Sequence, residues 1–167
     1  MDRDGVINVK PAVGQYVERW DQFTLIPAAV DWIKLFRALR FLVIVVTNQR
    51  CIARSLVATD SVLHIHDKMK EQLSAMGAPV DDVYCCPHEE GECACRKPLP
   101  GLILEARRKW HVQLSGSIVI GDSDADDKLA ANLKMSFVRV HDGKILAVRA
   151  HGIDGDVGLL GLAPLAS

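Results

Sequence analysis

The segment Asp2-Arg3-Asp4-Gly5-Val6-Ile7-Asn8 places two carboxylates two residues apart and follows them with a glycine at which the backbone can turn. Residues i and i+2 of an extended segment point to the same side, so a strand ending here would direct Asp2 and Asp4 into one small volume. One carboxylate can act as a nucleophile while the other carries a proton, and both can bind a hard cation through oxygen. A charged N-terminal tail is the alternative interpretation, and this pattern alone does not exclude it.

Composition indicates an ordinary globular chain. The 167 residues are 49% hydrophobic and 25% charged, with a formal net charge of −1, and a chain of this length fits one domain with a sizeable core. The charge provides no broad field for nucleic acid or a membrane surface, and no apolar run approaches the ~20 residues of a membrane span. No signal-peptide pattern opens the chain. We therefore expect one cytoplasmic, monomeric domain over 1–167, without nucleic-acid or membrane partners.

Helical periodicities alternate with short apolar runs along the chain. Helices are predicted over 28–40, 62–76, 100–110 and 126–133, and strands over 41–46, 83–85, 118–120 and 137–140. The run 41–46 has no polar alternation, which is typical of a strand buried on both faces. This alternation predicts an α/β, Rossmann-like fold with a parallel sheet flanked by helices. His64 and His66, in the second helix, are interpreted as solvent-facing or packing residues.

Polar side chains follow two of the predicted strands. Thr47 and Asn48 come after the run 41–46, and Asp122 comes after 118–120. Ligands of parallel sheets bind beyond the carboxyl ends of the strands. We therefore expect these residues to converge with Asp2 and Asp4 on one edge of the sheet, while 9–22 forms a loop or flap over it.

Four of the five cysteines lie between Cys85 and Cys95. In a cytoplasmic protein such a cluster indicates metal ligands before disulfides. A Cys-x-His motif and a Cys-x-Cys motif together supply four ligands that suit a closed, tetrahedral zinc site: Cys86, His88, Cys93 and Cys95. The alternative is a set of buried or free thiols. A zinc ion here would fix the loop 85–97, which ends in Arg96 and Lys97.

The order of the motifs resembles that of the haloacid dehalogenase-like (HAD-like) hydrolases. The order is Asp-x-Asp-Gly-Val, a strand ending in Thr-Asn, a lysine, and a strand ending in Gly-Asp-Ser-x-x-Asp, and it covers residues 2 to about 140. The Cys-Pro-His and Cys-x-Cys-Arg-Lys-Pro motifs resemble the D,D-heptose 1,7-bisphosphate phosphatases, and equally the related histidinol-phosphate phosphatases. The resemblance implies a Mg²⁺-dependent phosphatase of a small metabolite. A sugar phosphate such as D-glycero-D-manno-heptose 1,7-bisphosphate is favoured, which implies a place in carbohydrate metabolism.

The resemblance also implies a role for each matching residue. Asp2 is the expected nucleophile that forms an aspartyl-phosphate, and Asp4 is the expected general acid and later base. Mg²⁺ is expected on Asp2, the backbone carbonyl of Asp4, and Asp122. The expected partners of the substrate are Thr47 and Asn48 on the phosphoryl oxygens, Lys97 on their charge, and Arg96 in substrate recognition.

The sequence departs from the family pattern at three places. The family has a hydrophobic strand leading into the first aspartate, whereas this chain begins Met1-Asp2, so we expect a sheet without that first central strand. Arg50-Cys51 stands where the family has Ser-Gly, and Arg50 binds a second phosphate of the substrate or points to solvent. The segment 10–15 does not match the usual flap.

Three alternative functions remain open at this point. Histidinol phosphate is the alternative small substrate. A nucleic-acid 3′-phosphate is disfavoured because the chain is near neutral and lacks a basic stripe with stacking aromatics. A catalytically silent zinc-bearing domain would follow from the absent strand, although every expected catalytic side chain is present.

Overall fold

The computed structural model describes residues 1–151 and confirms every predicted helix and strand with shifted ends. The helices are α1 Pro27–Ala38, α2 Thr59–Ala75, α3 Gly101–Trp110 and α4 Asp124–Asn132. The strands are β1 Ile44–Asn48, β2 Asp82–Cys86, β3 Ile118–Gly121, β4 Ser136–His141 and β5 Lys144–Arg149. The Gly/Leu-rich segment 152–167 lies outside the described residues. The segment 9–22 is a loop containing one 3₁₀ turn, Trp20–Gln22.

The parallel α/β arrangement is confirmed by the strand pairing. β1 pairs in parallel with β2, and β3 pairs in parallel with β4. β1 begins at Ile44 and not at the predicted residue 41, because its pairing with β2 starts opposite Asp82. A turn at 142–143 connects β4 to β5 in an antiparallel pairing, and β5 is a strand that the sequence did not indicate.

Alternating strand residues divide the core into two faces. Val45 and Ile120 share one cluster with the apolar sides of α1 and α2. Their neighbours Val46 and Val119 point the other way, toward α3 and α4 respectively. Successive side chains of a strand point to opposite faces of the sheet, so these short apolar runs are covered by helices on both sides.

The two halves of the sheet meet at Met1 and Asp2. The Met1 ammonium donates to Ile44 O at 2.7 Å, and the Val46 amide donates to Met1 O at 2.9 Å. On the other side, the Asp2 amide donates to Ile120 O at 2.9 Å. This is the bonding of a parallel ladder, so Met1 and Asp2 occupy a strand position between β1 and β3, with Met1 opposite Val45 near the start of β1.

The amino ends of the same two strands enclose a cavity of about 90 Å³. Its lining is mainly apolar and includes Met1, Ile44, Ile103, Ala106, Ile118 and Val119. Among the described residues, no helix has the length and apolarity to cross a membrane.

Candidate active site

Two glycines allow the acidic residues to approach one another at the carboxyl edge. Gly5 has φ +87°, and a Cβ there would lie 2.3 Å from Asp122 Oδ2. A Cβ on Gly121 would lie 2.2 Å from the Asp126 Cβ. Any other side chain at either position would displace an acidic side chain, so close approach requires glycine at both positions, and at Gly5 the positive φ requires it as well.

Lys97 lies between two buried carboxylates. Its Nζ is 2.8 Å from Asp2 Oδ1 and 2.7 Å from Asp126 Oδ1, and it also donates to Val46 O at 2.9 Å. Burial by itself would lower the pKa of Lys97, but the two carboxylates raise it. Lys97 is therefore a fixed positive charge beside Asp2.

Asp2 has a perturbed environment. Burial raises its pKa to about 6, and the Lys97 ammonium acts in the opposite direction. Its Oδ1 also accepts from the Arg3 amide at 2.7 Å. A partly desolvated carboxylate that keeps a cationic neighbour is a suitable nucleophile.

Asp4 is held by three neighbouring side chains. Arg3 Nη2 lies 2.9 Å from both Asp4 oxygens, while Asn8 Nδ2 donates at 2.9 Å and Gln49 Nε2 at 2.8 Å. Burial would raise the pKa of Asp4, but the Arg3 guanidinium and these hydrogen bonds lower it. Asp4 is thus a carboxylate of fixed orientation.

A second acidic group offers oxygen ligands for a cation. Oxygens of Asp2, Asp122 and Asp126 lie within 4.8 Å of one another. Asp126 is committed to Lys97 and to Ser123, whereas Asp122 Oδ1 is buried without a hydrogen-bond partner. The Lys10 ammonium, from the flap, lies 2.6 Å from Asp122 Oδ2. A buried carboxylate oxygen without a donor, beside Asp2, fits a hard divalent cation such as Mg²⁺.

The four predicted zinc ligands converge on one point. Cys95 Sγ lies 3.2 Å from Cys86 Sγ and from Cys93 Sγ, and 3.3 Å from His88 Nδ1. Cys86 Sγ lies 3.6 Å from Cys93 Sγ and 3.7 Å from His88 Nδ1. Tetrahedral ligands at about 2.3 Å from zinc are about 3.7 Å apart, so the cluster fits a closed zinc site after slight expansion.

Comparison with known proteins gives the same family as the motifs. A HAD-hydrolase-like family model matches residues 94–154. The D-glycero-alpha-D-manno-heptose-1,7-bisphosphate 7-phosphatase of Mycobacterium bovis is 42% identical over 135 residues, covering 80% of this chain and 70% of that protein. The D-glycero-beta-D-manno-heptose-1,7-bisphosphate 7-phosphatase of Bordetella bronchiseptica is 38% identical over 132 residues, covering 78% of this chain and 73% of that protein.

This chain belongs to the heptose-bisphosphate phosphatase family of HAD-like hydrolases. The crystal structure of the B. bronchiseptica D,D-heptose 1,7-bisphosphate phosphatase, complexed with magnesium and phosphate, superposes with a TM-score of 0.77 at 36% identity, covering 85% of this chain and 80% of that one. The resemblance and the fold class predicted from the sequence are therefore confirmed, and the protein is a phosphoric monoester hydrolase.

Within this phosphatase fold, Thr47 and Asn48 lie at the carboxyl end of β1. Thr47 is buried and its Oγ1 accepts from Gln49 Nε2 at 2.8 Å. The Asn48 side chain is paired with the backbone of Lys97, donating to its carbonyl at 3.1 Å and accepting from its amide at 3.0 Å. Asn48 therefore connects the end of the loop 85–97 to β1, which the sequence did not predict.

The side chains of the two arginines predicted to bind substrate contact residues of the loop 85–97. Arg50 Nη1 is 3.3 Å from Glu89 Oε1, and the neighbouring Arg54 Nε is 2.6 Å from Glu89 Oε2. Arg96 Nη1 donates to His88 O at 3.4 Å. Arg50 thus has a carboxylate partner in the structure, while its contact with a substrate stays a prediction.

The structure adds residues that sequence reasoning missed. Lys10 donates to Asp122, which is 112 positions away in the chain. Arg3 and Gln49 both donate hydrogen bonds to Asp4. His66, interpreted as a solvent-facing or packing residue, is buried and lies 3.1 Å from Arg3 Nη1, while His64 is exposed. The available signal for Arg3 was its position between two aspartates. For His66 it was a polar residue beside Ile65, on the apolar face of α2.

Proposed function

We propose that this phosphatase hydrolyses D-glycero-D-manno-heptose 1,7-bisphosphate at the 7-phosphate, with Asp2 as nucleophile and Mg²⁺ as cofactor. The observation that carries the proposal is the grouping of Asp2, Asp4, Lys97 and Asp122 at one edge of the sheet. The family relationship supports the substrate class. A cytoplasmic location, a monomeric state and a role in carbohydrate metabolism stay predictions of the sequence.

In the first step, an Asp2 oxygen attacks phosphorus and the bond from phosphorus to the sugar oxygen breaks. Lys97, 2.8 Å from Asp2, balances the charge of the nucleophile and of the incoming phosphoryl group. Asp4 gives its proton to the leaving alkoxide. The lowered pKa of Asp4 is offset when a phosphate dianion binds beside it, because a neighbouring negative charge raises the pKa of a carboxyl group.

In the second step, water attacks the phosphorus of the aspartyl-phosphate, and the bond to Asp2 breaks. Asp4, now a carboxylate, takes the proton of that water, which releases phosphate and restores both side chains. The hydrogen bonds from Arg3, Asn8 and Gln49 favour the anionic form of Asp4 and so suit it to this step.

Asp2, the Asp4 backbone carbonyl and Asp122 would hold Mg²⁺, which supplies charge neutralisation to a phosphoryl group facing two carboxylates. Lys10 would have to leave Asp122 Oδ2 for the cation to bind there. Once released, its ammonium lies on the flap, close to where the rest of the substrate must be placed.

Zn²⁺ bound by Cys86, His88, Cys93 and Cys95 would have a structural role. The Arg96 amide lies 3.3 Å from Cys93 Sγ, and Asn48 holds the Lys97 backbone. The metal would therefore hold Arg96 and Lys97 in place without touching the reacting atoms. Arg96 and Arg50 are the candidates for binding the second phosphate.

The test is phosphate release with and without Mg²⁺ from a panel of phosphomonoesters. The panel contains both anomers of the heptose bisphosphate, a hexose bisphosphate, histidinol phosphate and a 3′-phosphorylated oligonucleotide. We expect Mg²⁺-dependent turnover that is fastest with a heptose bisphosphate. A preference for histidinol phosphate would identify that ester as the substrate in place of the heptose bisphosphate. Absence of activity toward the whole panel would contradict the proposal.

A further inference from the structure

A buried hydrogen-bonded chain runs from Asp4 through Arg3 to His66 on α2. Arg3 is 1% exposed and His66 is 4% exposed, although both side chains are polar. Arg3 is bonded to Asp4 at one end of its guanidinium and to His66 at the other. A single residue, Arg3, therefore connects His66 to Asp4, the proposed acid-base group.

The N–H donors of Arg3 determine which ring nitrogen of His66 carries the proton. A guanidinium has five N–H donors and no acceptor. Since Arg3 Nη1 lies 3.1 Å from His66 Nε2, that ring nitrogen must be an unprotonated acceptor. The proton of the neutral ring is then on Nδ1. Burial, followed by the Arg3 charge, lowers the pKa of His66 to about 4, in agreement with a neutral ring at pH 7.

The remaining contacts of Arg3 explain why its orientation matters. Nη2 lies 2.9 Å from each Asp4 oxygen and donates to Gln49 Oε1 at 3.2 Å, and Nε is 3.2 Å from Asp4 Oδ1. His66 is the partner of the other terminal nitrogen, so contacts on both sides fix the plane of the guanidinium.

We propose that His66 is a positioning residue for the phosphatase reaction, accepting a hydrogen bond from Arg3 so that Arg3 holds both oxygens of Asp4. This inference rests on the proposed function, in which Asp4 transfers the proton. The neighbouring core residues of α2, Val62, Ile65, Met69 and Leu73, are apolar. A polar ring among them is costly unless it makes a hydrogen bond, and within residues 1–151 its side-chain partner is Arg3.

The kinetic test compares His66→Leu, His66→Gln and His64→Leu, a matched change at an exposed position of the same helix. Without its partner, Arg3 can rotate and Asp4 loses its alignment, so His66→Leu should lower kcat about tenfold and change KM by less than about twofold. His66→Gln retains an acceptor and should recover kcat to within about threefold of the parent. His64→Leu should leave both constants unchanged.

Three kinetic outcomes would overturn the proposal. One is a His66→Leu enzyme with the parent kcat. Another is an equal loss of kcat in the Leu and Gln variants, which would indicate a packing role. A loss confined to KM would also be incompatible with a residue that acts through the proton-transfer group.

A spectroscopic measurement tests the hydrogen bond without requiring turnover or a variant that folds. Nitrogen-15 NMR of the parent protein at pH 7 should show the His66 ring neutral, with the proton on Nδ1 and Nε2 unprotonated. A proton on Nε2 would refute the proposal even if the enzyme is active. If no ester is hydrolysed by the parent, the proposed function fails, and the tautomer still decides whether His66 accepts from Arg3.

Discussion

The carboxyl and amino ends of β1 and β3 differ in what lies between the strands. Met1 and Asp2 bridge the two strands through backbone hydrogen bonds, and a network of charged side chains follows at the carboxyl ends. At the amino ends, the same strands enclose an apolar cavity of about 90 Å³. The carboxyl edge therefore contains hydrogen bonds and ion pairs between a few residues, whereas the opposite edge contains a cavity lined mainly by apolar side chains.

The largest effect expected at the carboxyl edge is that of Asp2→Asn. An amide is not a nucleophile toward phosphorus, so turnover should fall by roughly 10⁴-fold or more. Lys97 keeps Asp126 as a partner at 2.7 Å, so the fold should persist. Steady-state phosphate release measures the loss, and circular dichroism checks the fold.

The matched control is Asp124→Asn, whose side chain is 84% exposed and paired with Arg139. It should retain the parent rate. An Asp2→Asn enzyme with full activity, or one that still accumulates a phosphorylated protein, would contradict the assignment of Asp2.

Loss of the zinc cluster should have the next largest effect. Cys93→Ser removes one of the proposed ligands and should reduce bound zinc from one ion per chain to a small fraction, measured by elemental analysis. Activity should fall about tenfold, because Arg96 and Lys97 lose their anchor. Cys85→Ala is the control, since Cys85 packs against the separate cluster of Cys51 and Val57. Retention of zinc by the Cys93 variant would show that the cluster is not the site.

The sequence predicted the carboxylates and the metal-type ligands better than the side chains that contact and orient them. Asp2, Asp4 and Asp122 were placed at one edge by the parallel-sheet rule. The four metal-type ligands were identified by their spacing, and Lys97 by the motif that follows them. The converging geometry agrees with these predictions, while the roles of the residues stay predictions.

The orienting groups could not be predicted because their partners are distant in the chain. Lys10 contacts Asp122, and His66 contacts Arg3 across 63 positions. Nothing in local spacing specifies such contacts. β5 was missed for another reason: most of its side chains are exposed, so it lacks the buried apolar run that identified the other strands.

Acid should destabilise the carboxyl edge through His66. The pKa of His66 is lowered to about 4 in the folded protein, from about 6.5 when unfolded. The unfolded chain therefore binds the proton first, and the stability associated with the neutral ring is present above pH 6.5 and is lost as the pH falls toward 4. Between pH 7 and pH 4.5, the free energy of unfolding should fall by about 2 kcal/mol more in the parent than in His66→Gln.

Urea unfolding of both proteins at the two pH values measures this difference. The carboxylates of the site titrate in both proteins and therefore cancel in the comparison. If the free energy of unfolding fell by the same amount in both proteins between the two pH values, His66 would be already protonated or exposed in the folded state.

The smallest effect is expected at the amino edge, where added volume should stabilise the protein. Ala106 lies on α3, is 3% exposed and lines the cavity. Ala106→Leu adds three carbon atoms at a helix position that tolerates leucine. At about 0.8 kcal/mol for each buried CH₂ group, reduced by imperfect fit, the free energy of unfolding should rise by about 1 kcal/mol.

Ala130→Leu is the matched control for this prediction. Ala130 is fully buried on α4 against Val119 and Phe137, outside the cavity lining. The same three carbons have no space there, so the variant should lose about 1–3 kcal/mol of stability through overpacking. Denaturant unfolding of both variants measures the change in the free energy of unfolding, which should be positive for Ala106→Leu and negative for Ala130→Leu. If Ala106→Leu were as destabilising as Ala130→Leu, the amino ends of β1 and β3 would be packed as tightly as the rest of the core, and the contrast between the two edges would reduce to the polar network alone.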